Sequence, residues 1–144
     1  MTEVSTYNPA SVLVIIGGVP VSGYADGTFI EISALSDGVT SVAGADGEIA
    51  RAIGTDNRHS VNLTLLQTSS SNDVLSSLHA LDRKSSGGVM QPVLVQDLSG
   101  RTLFAASKAW IKKSANVSFG KTVEGRQWMM ETGEPTTYVI GGNS

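Results

Sequence analysis

The sequence contains no cysteine. It can hold no disulfide framework, no thiol nucleophile and no cysteine-ligated metal, and it carries no mark of a redox compartment. Charge is also scarce, at 16% of residues against the roughly 25% of an ordinary globular domain. The formal net charge of -3 leaves no basic face for phosphates, and the paired cations Arg83-Lys84 and Lys112-Lys113 stand alone, so stable nucleic-acid binding is not expected. Aromatic residues make up 6%, too few to plate one face of a carbohydrate-binding sandwich. Long apolar runs are missing as well: the longest, Val12 to Ile16, is far shorter than a signal core or a membrane span. With no basic segment in the opening "MTEVSTYNPA", the expectation is a cytosolic product without a membrane anchor that stays in solution until it meets its partners.

What is present is length for one domain, over residues 1–144, and a wealth of Gly, Ser and Thr. A chain of this size buries roughly 68–70% of the surface its unfolded form exposes, enough for its own core. A polar surface with few charges offers little like-charge repulsion between copies, which favours self-association.

The opening "VLVIIGGVPVS" predicts a hairpin: a continuous β-branched strand over Val12 to Ile16, a Gly17-Gly18 turn and a return over Val19 to Ser22. Ile15 is expected in the core, where Ile15→Asp abolishes the fold. "FIEIS" (Phe29 to Ser33) alternates as a strand. Leu35 to Gly47 is small and turn-rich and predicts a long loop leaving the body, where Val42→Asp spares the monomer. Glu48 to Ile53 and Arg58 to Thr68 read as strands separated by "GTDN"; in the second, Val61, Leu63 and Leu65 share one face, with Ser60, Asn62 and Thr64 opposite. One helix is predicted, from about Asn72 to Arg83, with Ser70 as N-cap, Asp73 completing a capping box and a stripe of Val74, Leu75, Leu78 and Leu81. Strands resume over Val89 to Asp97, Thr102 to Ile111, Arg126 to Glu131 and Thr137 to Gly141, and Pro92 belongs at an edge or irregular position. The fold class is therefore mainly β, an antiparallel β-sandwich or partly open β-barrel of about eight strands with one flanking α-helix.

Catalytic chemistry finds no footing in this pattern. His59 and His79 lack metal-ligand spacing, and His59, in register with Val61, reads as a packing residue. "FGKTVEG" lacks the leading glycine of a phosphate loop, since residue 115 is alanine. Ser118 and Lys121 have the spacing of an acylating pair but no companion motif. Trp110 and Trp128 sit in strands and read as core. No catalytic residue, metal or cofactor is expected.

Several blocks occur in order with similar spacing: "VIIGGVPVSGYADGTFIEI", "GADGEIARA", "VNLTLLQTSSSNDVLSSLHALDR", "PVLVQDLSGRTLFAASKAWIKK" and "EGRQWMMETG". Through them the chain, from about Val12 to Gly133, resembles the tail tube proteins of contractile-tailed bacteriophages. The resemblance implies a structural subunit in hexameric rings, stacked into a hollow conduit through which DNA passes without specific binding. It also implies a contractile sheath, baseplate and tail terminator proteins as partners, and the virion as location. A related bacteriocin or secretion-system tube fits the same blocks. On this reading the loop at about 35–47 reaches the next ring through Asp37, Val39, Val42 and Asp46, and the N-terminal arm 1–9 is a second flexible contact. Ser60, Asn62 and Thr64 line the lumen, with Gln127, Met129 and Glu131 as further lining candidates. Val12, Val14 and Ile16 lie on a strand that continues a neighbour's sheet.

Overall fold

The computed structural model describes residues 4–143. A single 3-10 turn over Pro9–Ser11 leads into β1 (Val12–Ile16), and Gly17 and Gly18, with φ of +61° and +81°, return the chain into β2 (Val19–Pro20). Two successive positive φ values form the two-residue turn whose twist suits a hairpin, and glycine adopts them without a Cβ clash. β3 (Ile30–Ala34) is followed by β4 (Val39–Ala43) and β5 (Ile49–Ile53), then by β6 (His59–Leu66), which enters the single helix α1 (Ser71–Lys84). β7 (Gln91–Asp97), β8 (Leu103–Lys113), β9 (Gly125–Thr132) and β10 (Thr137–Val139) complete the chain.

Eight of these strands form one antiparallel sheet in the order β2-β1-β7-β8-β9-β6-β3, with β10 added to β8. β8 makes two layers from it. Its first part, Leu103 to Ala105, pairs with β10, whereas Ala109 to Lys113 pairs with β9. The layers meet over an apolar core, with Val14, Ile16, Val93, Val95 and Phe104 on one side and Val61, Leu63, Leu65, Trp128 and Met130 on the other. The sheet stays open, because its end strands β2 and β3 do not pair with each other. The architecture is thus a mainly β sandwich with one helix, as the alternating pattern predicts, and not a closed barrel.

α1 closes one mouth of the sandwich. Leu75 is fully buried, Val74 lies near Ile16 and Val21, and Leu78 lies near Ile111 and Met130. The buried indole of Trp128 donates to Asn72 Oδ1 at 2.9 Å, and Asn72 Nδ2 donates to the carbonyls of Leu66 and Ser69, so one side chain fastens helix, turn and sheet. The expected cap differs in detail. Ser70 makes no side-chain cap bond; Ser69 Oγ accepts from Ser71 N at 3.2 Å instead. Leu81, expected in the stripe, is exposed because the inward face of the helix runs through Leu75, Leu78 and Asp82, which leaves Leu81 to one side.

Two further expectations are corrected. The stretch 35–47 is no featureless loop, because it holds β4, which pairs with β5 in a separate two-stranded sheet; the described residues hold ten strands against the about eight expected. Ile15 is not a core residue: it lies on the outward face of β1, half-buried beside Leu94 and Ala105, while its neighbours Val14 and Ile16 take the interior. Pro92 does sit at an irregularity, where the register between β7 and β8 shifts.

Candidate assembly surfaces

The strict alternation of β6 puts Val61, Leu63 and Leu65 at zero exposure and turns Ser60, Asn62 and Thr64 to the outside. β9 lies beside it with Glu131 opposite Ser60, Met129 opposite Asn62 and Gln127 opposite Thr64. The residues assigned to the lumen from two distant segments therefore share one surface. β3 extends it with Ser33, whose hydroxyl lies 2.8 Å from that of Ser60, and with Glu31 opposite Asn62. The face is polar, with acids in it. At its far end, Lys113, Asn116, Ser118, Gln127 and Met129 border a groove of about 180 Å³.

The β4–β5 hairpin is the second surface. Every one of its ten strand residues is exposed, and Val39, Val42, Ile49 and Ile53 are apolar among them. Asp37 precedes it, and Asp46 shapes its tip by accepting from Glu48 N at 3.0 Å. All four residues singled out from sequence, Asp37, Val39, Val42 and Asp46, lie on this arm. Ile49 and Ile53, across the ladder from Ala43 and Val39, join this apolar surface although their segment reads from sequence as an ordinary strand.

Arg58 holds the base of the arm. Its Nε and Nη2 donate to the two oxygens of Asp56 at 2.8 Å each, its Nη1 donates to Glu131 Oε1 at 2.9 Å, and Ser36 Oγ donates to Asp56 at 2.7 Å. The two legs of the hairpin, at Ser36 and Asp56, are thus tied to β9. The Arg58 guanidinium beside Asp56, with the Ser36 hydroxyl and the Arg58 main-chain N–H, holds the Asp56 carboxyl well below the usual carboxylate range. Sequence alone carries no signal for this clasp, since Arg58 and Glu131 lie 73 positions apart.

The third surface is the sheet edge. Val14 and Ile16 are core residues, and β1 lies between β7 and β2 within the same chain. Val12 N and Val14 O are already bonded, to Pro9 O and Val21 N. The free edge of the opening hairpin is accordingly β2, with β3 as the free edge at the other end. Of the N-terminal arm, residues 1–3 lie outside the described residues; Val4 and Tyr7 are exposed, with Tyr7 beside Val12 and Tyr138.

His59 packs its ring against Phe104 and Tyr138, at 5.7 and 5.2 Å between centroids. The Ser118 hydroxyl donates to Glu124. No group of three or more His, Asp or Glu converges among the described residues, and no helix there is long and apolar enough to cross a membrane.

Comparison with known proteins gives these surfaces a family. The family model of the Bacteriophage PhiTE tail tube protein matches residues 5–138. Structural protein ORF10 of Pseudomonas phage KPP10 is 32% identical over 146 residues, covering 96% of this chain and 84% of the relative. Two solved structures share the fold at 11% identity. One is the anti-feeding prophage cap, with a TM-score of 0.58 over 100% of this chain and 95% of the other. The second is a chain of the extracellular contractile injection system PVC in its extended sheath-tube complex, with a TM-score of 0.56 over 96% of this chain and 93% of the other. The chain belongs to the Bacteriophage PhiTE tail tube family: it is a structural protein of the phage tail and not an enzyme.

Proposed function

We propose that this protein forms the tail tube as a stack of hexameric rings, with the polar face of β3, β6 and β9 toward a lumen that conducts DNA. The observation that carries the reading is the β4–β5 arm. A lone two-stranded hairpin is marginal in water, and one with four large apolar residues in solvent needs another surface to cover it. Stacked copies supply that surface, and the single domain, with its arms at 1–9 and 35–47, is the repeating unit.

Ring closure suits the open sheet. Edges β2 and β3 end a sheet that no strand among the described residues caps, and cyclic symmetry satisfies such edges while avoiding uncontrolled growth. The opening hairpin, Val12 to Pro20, meets its neighbour through the β2 edge. On the luminal face Glu31 is the exposed acid, Glu131 is buried against Arg58, and the middle of the face is otherwise uncharged, with Lys113 only at its far end, so it holds no phosphate and lets DNA pass without specific binding. A contractile sheath surrounds the tube, and baseplate and tail terminator proteins bound its ends. Before assembly the subunit stays in the host cytoplasm. The fold is shared with the anti-feeding prophage cap and with a chain of an extracellular contractile injection system; the phage relative at 32% identity favours the phage tail over these.

Electron microscopy of the concentrated recombinant protein, alone and with baseplate, tests the reading. Hollow tubes of uniform width with sixfold rings are the expected result. A protein that remains monomeric even with baseplate overturns it.

A further inference from the structure

The two ends of the β3-β6-β9 layer carry complementary surfaces. The β4–β5 arm leaves from the end marked by Ala34 and His59, while the loop joining β8 to β9, residues 114–124, lies at the other end, where Gly125 pairs with Leu66. The eight residues of β6 separate them by roughly 25 Å. The arm is acidic as well as apolar: Asp37, Asp46 and Glu48 outnumber Arg51, beside exposed Val42 and Ile49. The opposite pole is basic and apolar. Lys112, Lys113 and Lys121 stand beside Val117, Phe119 and Val123, which are 63%, 79% and 56% exposed. The Phe119 ring is braced by Arg126, whose guanidinium lies 5.9 Å from its centroid, and Glu124, the one acid of the loop, is taken by Ser118.

Neither pole meets its charges within the chain. Among the described residues the ion pairs are those of Arg58 with Asp56 and Glu131, so the arm's acids and the loop's lysines have no charged partner. The separation of the poles keeps one copy from satisfying itself. We infer that the β4–β5 arm of one subunit docks on the β8–β9 loop of a second copy in the adjoining ring, with Glu48 facing Lys121 and the apolar residues of the arm covering Phe119. Because the contact is heterologous, each subunit gives an arm at one pole and receives one at the other, which makes the stack polar and open-ended. The opposite charges orient the incoming subunit and oppose a head-to-head ring.

This inference rests on the tube reading and is tested by charge exchange. Glu48→Lys and Lys121→Glu are each expected to lower the pelletable tube about tenfold at low salt, while the double variant returns to the wild-type level. Both positions are exposed, and thermal melting of the subunit verifies that each variant folds. In the cysteine-free chain, Ile49→Cys with Phe119→Cys gives a second readout, since a short bis-maleimide then links assembled copies into a ladder on a denaturing gel. Tubes that form in wild type but are indifferent to both single exchanges, or assembled tubes that yield no ladder, overturn the docking and leave the tube reading standing. Wild-type protein that forms no tubes with baseplate present overturns both.

Discussion

A carboxylate at Val14 would be enclosed by the two layers with no exposed surface, whereas the same group one position on, at Ile15, would look out over the groove beside Leu94 and Ala105. Burying an unpaired charge or its neutralised form costs several kcal/mol, a large share of a small domain's stability. Val14→Asp is therefore expected to abolish cooperative unfolding in circular dichroism, while Ile15→Asp leaves a folded subunit with a lower Tm. The unbroken run "VLVII" hides this difference, since both residues are equally apolar; only the pairing of Val14 with Val95 and of Ile15 with Leu94 separates the faces. Trp128 was legible as core because it is aromatic and lies in a strand. Its bond to Asn72 was not, because the partner lies 56 positions away in the helix. Trp128→Phe keeps most of the packing but strands a buried acceptor, and a loss of about 1–3 kcal/mol in denaturant titration is expected.

At the scale of elements, β6 and the first turns of α1 follow from their own pattern, whereas β4 does not. β6 alternates so strictly that its two faces follow from composition, and α1 has a stripe over its first turns. β4 could not be read this way. Its large residues, Val39 and Val42, fall on opposite faces among Thr, Ser and Ala, and it is held by a ladder to β5 with no core behind it. The same independence from the core makes it a clean target. Val42 is 68% exposed, so Val42→Asp is expected to change subunit stability by less than about 0.5 kcal/mol while abolishing polymerisation, read by melting and by sedimentation of the same sample. The clasp at the arm's base predicts a pH response of definite sign. Asp56 titrates in the folded chain well below its unfolded value, so its contribution is complete above about pH 4 and is lost as pH falls toward the folded value. Amide exchange in β4 and β5 is accordingly expected to be flat from neutral pH down to about 4 once corrected for intrinsic rates, and to rise below it; Arg58→Met raises it at neutral pH.

For the whole molecule, the proposed ring raises the question of which layer of the subunit would face the lumen, and the outer faces of the two layers supply the argument. Conducting DNA requires a wall that neither binds phosphate nor presents apolar patches, and the β3-β6-β9 surface has Ser33, Ser60, Asn62, Thr64, Gln127 and the exposed Glu31, with Met129 as its apolar member and Glu131 buried against Arg58. The other layer's outer face differs in character: Ile15, Leu94 and Ala105 border a groove of about 310 Å³, with Pro92, Ser107 and Thr136 at its rim. Of the two, the second is the one suited to burial against protein and the first to water. Because the chain lacks cysteine, Asn62→Cys places one thiol on the first face. In the free subunit it is expected to react with a small maleimide and with a maleimide on a large polymer alike. In assembled tubes the small reagent still diffuses in, while the polymer is excluded from all but the tube ends. Equal reaction with both reagents in intact tubes would place Asn62 on the outside and reverse the assignment of the two layers. A basic lining carries the argument to function: Asn62→Lys with Thr64→Lys is expected to leave tube width unchanged and to retain duplex DNA at low salt, with release as ionic strength rises, because each added lysine contributes a counterion-releasing phosphate contact.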